Sequence, residues 1–154
     1  MPIANVSAVD AYARQQQGAR LIDVRSTREY AAGHPAGAVN VPLLEHDEDN
    51  GPMLPNPDFV RVMTANFAPD TPLLLSCQSG IRSVRASQML ESFGFTDVTN
   101  VLGGFGGSRD RSGAAPVDYG WQECGLPVDN TPAPGHAYEH LLARALNMGD
   151  HGEP

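Results

Sequence analysis

The 154-residue chain contains no lysine; its ten basic residues are all arginine. Chemistry through a lysine Schiff base and nucleotide binding through a Walker-type lysine are therefore excluded. Positive charge is scarce overall. Eighteen acidic residues leave a net charge of −8, a surface that repels phosphate backbones and makes nucleic acid a poor partner. Only two cysteines occur, Cys77 and Cys124, with no C-x-x-C between them. That is too few for a disulfide scaffold and lacks the spacing of a zinc site or a thioredoxin-like dithiol. No apolar run reaches bilayer-spanning length, so no membrane partner is expected. The opening residues, Met1-Pro2-Ile3-Ala4-Asn5, show no basic segment followed by an apolar one. A secretory signal is not read there, and the expected compartment is the cytoplasm.

What is present is an alternation of short elements. A helix is expected over residues 7–17, with Ser7 as N-cap and Gly18 after its end. Strands are expected over 21–24, 38–41 and 97–102, and short helices over 27–32 and 58–67. Residues 45–57 read as a solvated loop, acidic and then proline-rich, whose spacing fails the calcium-loop pattern. Helices and strands that alternate in this way imply a parallel sheet with helices on both faces.

The centre of the pattern is Leu73-Leu74-Leu75-Ser76-Cys77-Gln78-Ser79-Gly80-Ile81-Arg82-Ser83. The apolar run after Pro72 is too short for a helix and suits a strand covered on both faces. Ser83 is expected to cap a helix over 84–93. Cys77 then stands at the carboxyl end of a strand facing a helix N-terminus, the edge where open parallel sheets bind ligands. A cysteine attacks only as thiolate, a form favoured by helix N-termini and by cations such as Arg82 and Arg85. Gly80 permits a sharp turn, and successive loop amides can converge on one point as an anion-binding nest. Two reaction classes use such a loop, phosphoryl transfer and sulfur transfer. Tyrosine-type phosphatases place five residues between cysteine and arginine; here there are four. The smaller ring favours a smaller guest, the outer sulfur of a persulfide.

Four stretches together resemble the single-domain rhodaneses, a sulfurtransferase family. They are the loop from Cys77 to Ser83; Leu21-Ile22-Asp23-Val24-Arg25 with Glu29-Tyr30; Gly33-His34-Pro35-Ala36-Gly37-Ala38-Val39-Asn40-Val41-Pro42; and Leu102-Gly103-Gly104-Phe105 followed by Trp121 and Gly125-Leu126-Pro127-Val128. The resemblance implies a rhodanese-like α/β fold with a central, mostly parallel sheet over residues 1–128. Residues 129–154 form an extension, a proline-containing linker and an amphipathic helix over 137–148, with a frayed tail.

By that resemblance, Cys77 takes a sulfane sulfur from a donor such as thiosulfate. It passes it to cyanide or to a thiol, free or carried on a protein. Gln78, Ser79, Gly80, Ile81, Arg82 and Ser83 form the persulfide cradle. Arg82 orients an anionic donor, unless a neighbouring carboxylate claims it. Asp23 and Arg25 fix the loop's backbone. His34 makes a structural hydrogen bond, and Cys124 is a small buried hydrophobe. Neither a metal nor a cofactor is expected. Residues 106–120 are an insertion whose Arg109 and Arg111 are expected to be solvated, and Trp121, Leu126 and Val128 return to the core. Two other functions stay open: a cysteine phosphatase or arsenate reductase of related fold, and a non-catalytic sulfur-carrying or interaction module.

Overall fold

The computed structural model describes residues 3–46, 51–110, 112–113 and 115–151. Its centre is a five-stranded, wholly parallel sheet. The strands are β1 (Ala4–Val6), β2 (Arg20–Asp23), β4 (Val39–Asn40), β7 (Leu73–Ser76) and β8 (Val98–Val101), in the spatial order β1-β8-β7-β2-β4. Two-residue β3 (His34–Pro35) lies outside this sheet. The expected α/β class is thus the observed one.

Side-chain alternation along the strands divides the core into two layers. Ile22, Leu73 and Leu75 face α3 (Phe59–Asn66), α4 (Ile81–Ser92) and α5 (Tyr138–His151), where Phe59, Met63, Leu90 and Leu141 are buried with them. Leu21, Leu74 and Val101 face α1 (Ala8–Gln16) and α2 (Thr27–Ala32), packed with Ala11, Tyr30, Phe105 and Trp121. Each such fully buried Leu or Phe contributes about 1.5–3 kcal/mol. Cys77 continues the Leu73–Leu75 alternation and enters the first layer.

The helix ends follow their capping residues. The Ser7 hydroxyl accepts from the Asp10 N–H at 3.1 Å and starts α1. Ser26 and Glu29 form a reciprocal capping box at α2. Gly33, just past α2, is its C-cap residue.

Several expectations are corrected. Strand β1 is absent from the sequence reading, because three residues carry too little pattern; it pairs with β8 with Asn5 opposite Asn100. The loop at 45–57 contains a hairpin, β5 (Leu44–His46) with β6 (Met53–Pro55); Asp47, Glu48 and Asp49 lie outside the described residues. In the insertion, β9 (Ser108–Arg109) pairs with β10 (Pro116–Asp118). Trp121 is buried and Leu126 packs beside it, but Val128 points outward. Its backbone is held instead, in β11 (Val128–Asp129) against β3. Cys124 is half-buried beside the second layer rather than enclosed. The final helix lays Leu141 and Ala145 into the core against α3 and extends through His151, past the expected end. Among the described residues, no helix is long and apolar enough to cross a membrane.

Candidate active site

Strand β7 ends at Ser76, and the chain turns from Cys77 into α4 through Gly80, whose φ is +106°. Helix α4 starts at Ile81, three residues before the expected start at 84. Gly80 occupies the N-cap position, and no side-chain oxygen caps the helix. The missing acceptor is the Cys77 sulfur. The Gly80 N–H donates to Sγ at 3.1 Å and the Ser83 N–H at 3.4 Å. Sulfur thus satisfies amides that a helix start otherwise leaves open. Ser83, read from sequence as the cap, instead sits buried within the first turn, its hydroxyl 3.4 Å from Sγ and 2.6 Å from Asn100 Oδ1.

The loop's amides can face the sulfur because its carbonyls are held elsewhere. Cys77 O accepts from Phe105 N at 2.8 Å, and Gln78 O accepts from Gly106 N at 2.9 Å. The glycine segment at 103–107 comes so close that a β-carbon on Gly104 would stand 2.3 Å from Cys77 O. This segment is the platform on which the cysteine loop rests. Trp121 in turn anchors it, its backbone N–H donating to Gly104 O at 2.8 Å.

Two ion pairs tie the cysteine loop to its neighbours. Arg82 meets Glu29 with both prongs, at 2.8 and 3.0 Å. Glu29 also accepts from the Ser26 N–H and hydroxyl, each at 3.1 Å. Burial pushes the Glu29 carboxyl up, but Arg82 and Ser26 outweigh it and hold it at about 2. The same hydrogen bond pushes Arg82 up, against burial. The neighbouring carboxylate has therefore claimed Arg82, the alternative to a free donor-binding role.

Arg25 and Asp23 form the second pair, both fully buried and 2.8 Å apart. Arg25 also donates to Gly33 O at 2.7 Å and to Gln78 Oε1 at 3.3 Å, with its guanidinium 4.4 Å from the centre of the Phe105 ring. It braces the loop through the Gln78 side chain, not through the loop's backbone as expected. Asn40, at the end of β4, donates to Asp23 O and Arg25 O, both at 3.0 Å. Of the other loop residues, Ile81 is 78% exposed at the rim, and Ser79 is half-buried.

Remaining candidates lie apart from this chemistry. His34 is buried, stacked on Tyr30 with 3.7 Å between ring centres, its Nδ1 2.8 Å from Tyr30 O. Arg109 pairs with Glu123 rather than standing alone in solvent; Arg111 lies outside the described residues. Among the described residues, no cluster of three or more His, Cys, Asp or Glu is placed to hold a metal.

Glu29 and Asn100 are the residues to which sequence reasoning gave no part. Glu29 sits inside a quoted motif. Asn100 left one signal, an asparagine in the middle of an otherwise strand-like run where asparagine is disfavoured.

A parallel α/β sheet with a strand-end cysteine whose sulfur accepts two helix-start amides fits the class of proteins that bind or transfer small groups through sulfur. Comparison narrows the class. The Rhodanese-like domain family model matches residues 7–109, and the chain belongs to that family. It is 35% identical over 102 residues to "Thiosulfate sulfurtransferase 16, chloroplastic" of Arabidopsis thaliana, covering 66% of this chain and 83% of the relative. It is 29% identical over 132 residues to "Thiosulfate sulfurtransferase GlpE" of Haemophilus influenzae, covering 85% and 99%. Among solved structures, Rv0390 from M. tuberculosis superposes with a TM-score of 0.68 at 26% identity, over 85% of this chain and all of that one.

Proposed function

We propose that the chain is a rhodanese-type sulfurtransferase working through a persulfide on Cys77. The observation that carries this reading is the pair of helix-start amides, Gly80 N–H and Ser83 N–H, that donate to Sγ. Donors already aimed at sulfur stabilise negative charge there without reorganisation. Names borne by relatives, thiosulfate sulfurtransferase in two kingdoms of life, support the reaction class.

In the first step the Cys77 thiolate attacks the outer sulfur of a donor such as thiosulfate. The new S–S bond forms as the donor's S–S bond breaks, and sulfite leaves with the electron pair. In the second, cyanide or a thiolate attacks the outer persulfide sulfur and Cys77 leaves as thiolate. Thiocyanate or a new persulfide is the product. The scheme is covalent and two-step. Gln78 to Ser83 form the cradle, Arg82 sets the charge at its rim, and Asp23 and Arg25 brace it. Residues 129–154 are an extension outside the shared domain, and the acceptor thiol is free or carried on a protein.

Intact-mass measurement after incubation with thiosulfate tests the reading. Wild type gains one sulfur atom, reversibly with a reductant, and Cys77→Ser gains none. A folded wild-type protein that stays unmodified with every sulfane donor overturns it.

A further inference from the structure

The polar side chains behind Cys77 form a hydrogen-bond chain whose direction is set at its far end. That end is the backbone carbonyl of Ile3, which only accepts. Asn5 Nδ2 donates to it at 3.3 Å. The other side of the Asn5 amide is then its Oδ1, which accepts from Asn100 Nδ2 at 3.0 Å. The Asn100 oxygen consequently faces Ser83, and the Ser83 hydroxyl donates to it at 2.6 Å. The amide orientations follow from this network.

A hydroxyl has one hydrogen. With that hydrogen held by Asn100, the Ser83 oxygen turns a lone pair toward Sγ, 3.4 Å away. A lone pair accepts an S–H and repels a thiolate. The two backbone amides on Sγ act in the opposite sense.

We infer that Asn100 is a positioning residue that, through Ser83, holds Cys77 in the thiol form until the Ser83 hydroxyl turns. When the thiol ionises, its proton passes to water and the electron pair stays on sulfur. The Ser83 O–H then leaves Asn100 and donates to the thiolate. Asn100 is only 1% exposed, so its oxygen is left without a donor, and that loss opposes ionisation.

The charged groups at Cys77 are already paired: Arg82 of α4 with Glu29 of α2, and Arg25 with Asp23 at the end of β2. Arg85, further along α4, is exposed. Strand β8 and the platform at 103–107 bring no charged side chain. The Asn100 effect is therefore one of hydrogen-bond direction, separate from these charges.

The inference rests on Cys77 being the reacting sulfur, but its test needs no sulfur donor. Cys77 is alkylated with iodoacetamide across a pH series in a Cys124→Ser background and followed by intact mass. Asn100→Ala frees the Ser83 hydroxyl to serve the thiolate. Alkylation near neutral pH rises roughly tenfold, the gain of about one charge-assisted hydrogen bond, and the profile moves to lower pH. Asn5→Ala moves it the same way, because the Asn100 amide can then turn its NH₂ toward Ser83. In a Ser83→Ala background, Asn100→Ala has no further effect. Asn5 is exposed, so its variant carries the test alone if Asn100→Ala fails to fold. The inference is overturned by a profile that stays in place or moves to higher pH in either variant, or by an Asn100→Ala effect undiminished without Ser83. Failed persulfide loading alongside the expected alkylation profiles would instead count against sulfur transfer alone.

Discussion

Arg82 and Glu29 meet two prongs to two oxygens, Nη1 to Oε1 at 2.8 Å and Nη2 to Oε2 at 3.0 Å, joining the cysteine loop to the start of α2. The pair is half-buried, and the same carboxylate closes the capping box on Ser26. One side chain therefore serves the helix start and the rim of the site together.

The first prediction follows from charge. Glu29 is held at about 2, below its ordinary 4.5. A carboxylate depressed in the folded state adds stability that is complete above its unfolded value and is lost as pH falls through its folded one. Glu29→Gln lacks that contribution. Wild type should exceed it by about 1–2 kcal/mol near neutral pH, a shift of this size being discounted for solvent at the rim. The gap should close as pH falls from about 4.5 toward about 2. Urea unfolding at a series of pH values measures it; a gap that does not change with pH would mean that the charge contributes nothing.

The second concerns donor charge. Arg82 is the cation of the cysteine loop, and its guanidinium is paired with Glu29. Arg82→Ala leaves the Glu29 carboxylate uncompensated at the rim and should slow persulfide loading from dianionic thiosulfate by roughly tenfold, through repulsion of the incoming anion. Loading from an uncharged trisulfide should change little. Arg82→Lys keeps the charge but loses the two-pronged geometry, so it should fall between. Equal slowing with both donors would assign Arg82 to loop structure instead.

How much of this was legible in the sequence depended on the length of each signal. The Leu73–Leu75 run and the Ser7 cap are local patterns, and each led to the observed element. Cys77 at a strand end needed only its neighbours. Ser83 was misplaced because capping rules presume a side-chain oxygen, whereas a sulfur three residues before the N-cap side of the helix supplies the acceptor. The Arg82–Glu29 pair and the Asn100 contact join residues far apart in the chain. Local pattern does not say which residues such partners meet; the strand order β8-β7-β2 brings them to one edge.

A third prediction tests the buried brace. Asp23 and Arg25 are 1% and 4% exposed at their side chains. Arg25→Ala leaves the Asp23 carboxylate buried beside one remaining donor, the Arg25 position's own backbone N–H. Breaking a buried pair from one side costs about 3–5 kcal/mol. Arg25→Ala should lose that much in urea unfolding, and Asp23→Asn combined with it should recover part of the loss by removing the stranded charge. Arg25→Ala within about 1 kcal/mol of wild type would show that the pair does not hold the strand end.

The last prediction turns on backbone contact. Gly104 has φ of +55°, and a β-carbon there would lie 2.3 Å from Cys77 O and 2.9 Å from Gln78 C. Both are main-chain atoms, so relief requires the loop itself to shift. The shift would break the bonds from Phe105 N and Gly106 N that turn the loop's carbonyls away from sulfur. Gly94 offers the comparison: its φ is +102°, and nothing lies within 4 Å of its β-carbon position. Gly94→Ala should cost about 1 kcal/mol through backbone strain alone and load sulfur at the wild-type rate. Gly104→Ala should cost more, and among molecules that stay folded it should load persulfide roughly tenfold more slowly or worse, as expected when reacting groups are displaced by a fraction of an ångström or more. Intact-mass time courses on both variants, below the onset of unfolding, separate the two effects. Equal loading would mean that the glycine platform supports the fold without setting the geometry of the amides at Cys77.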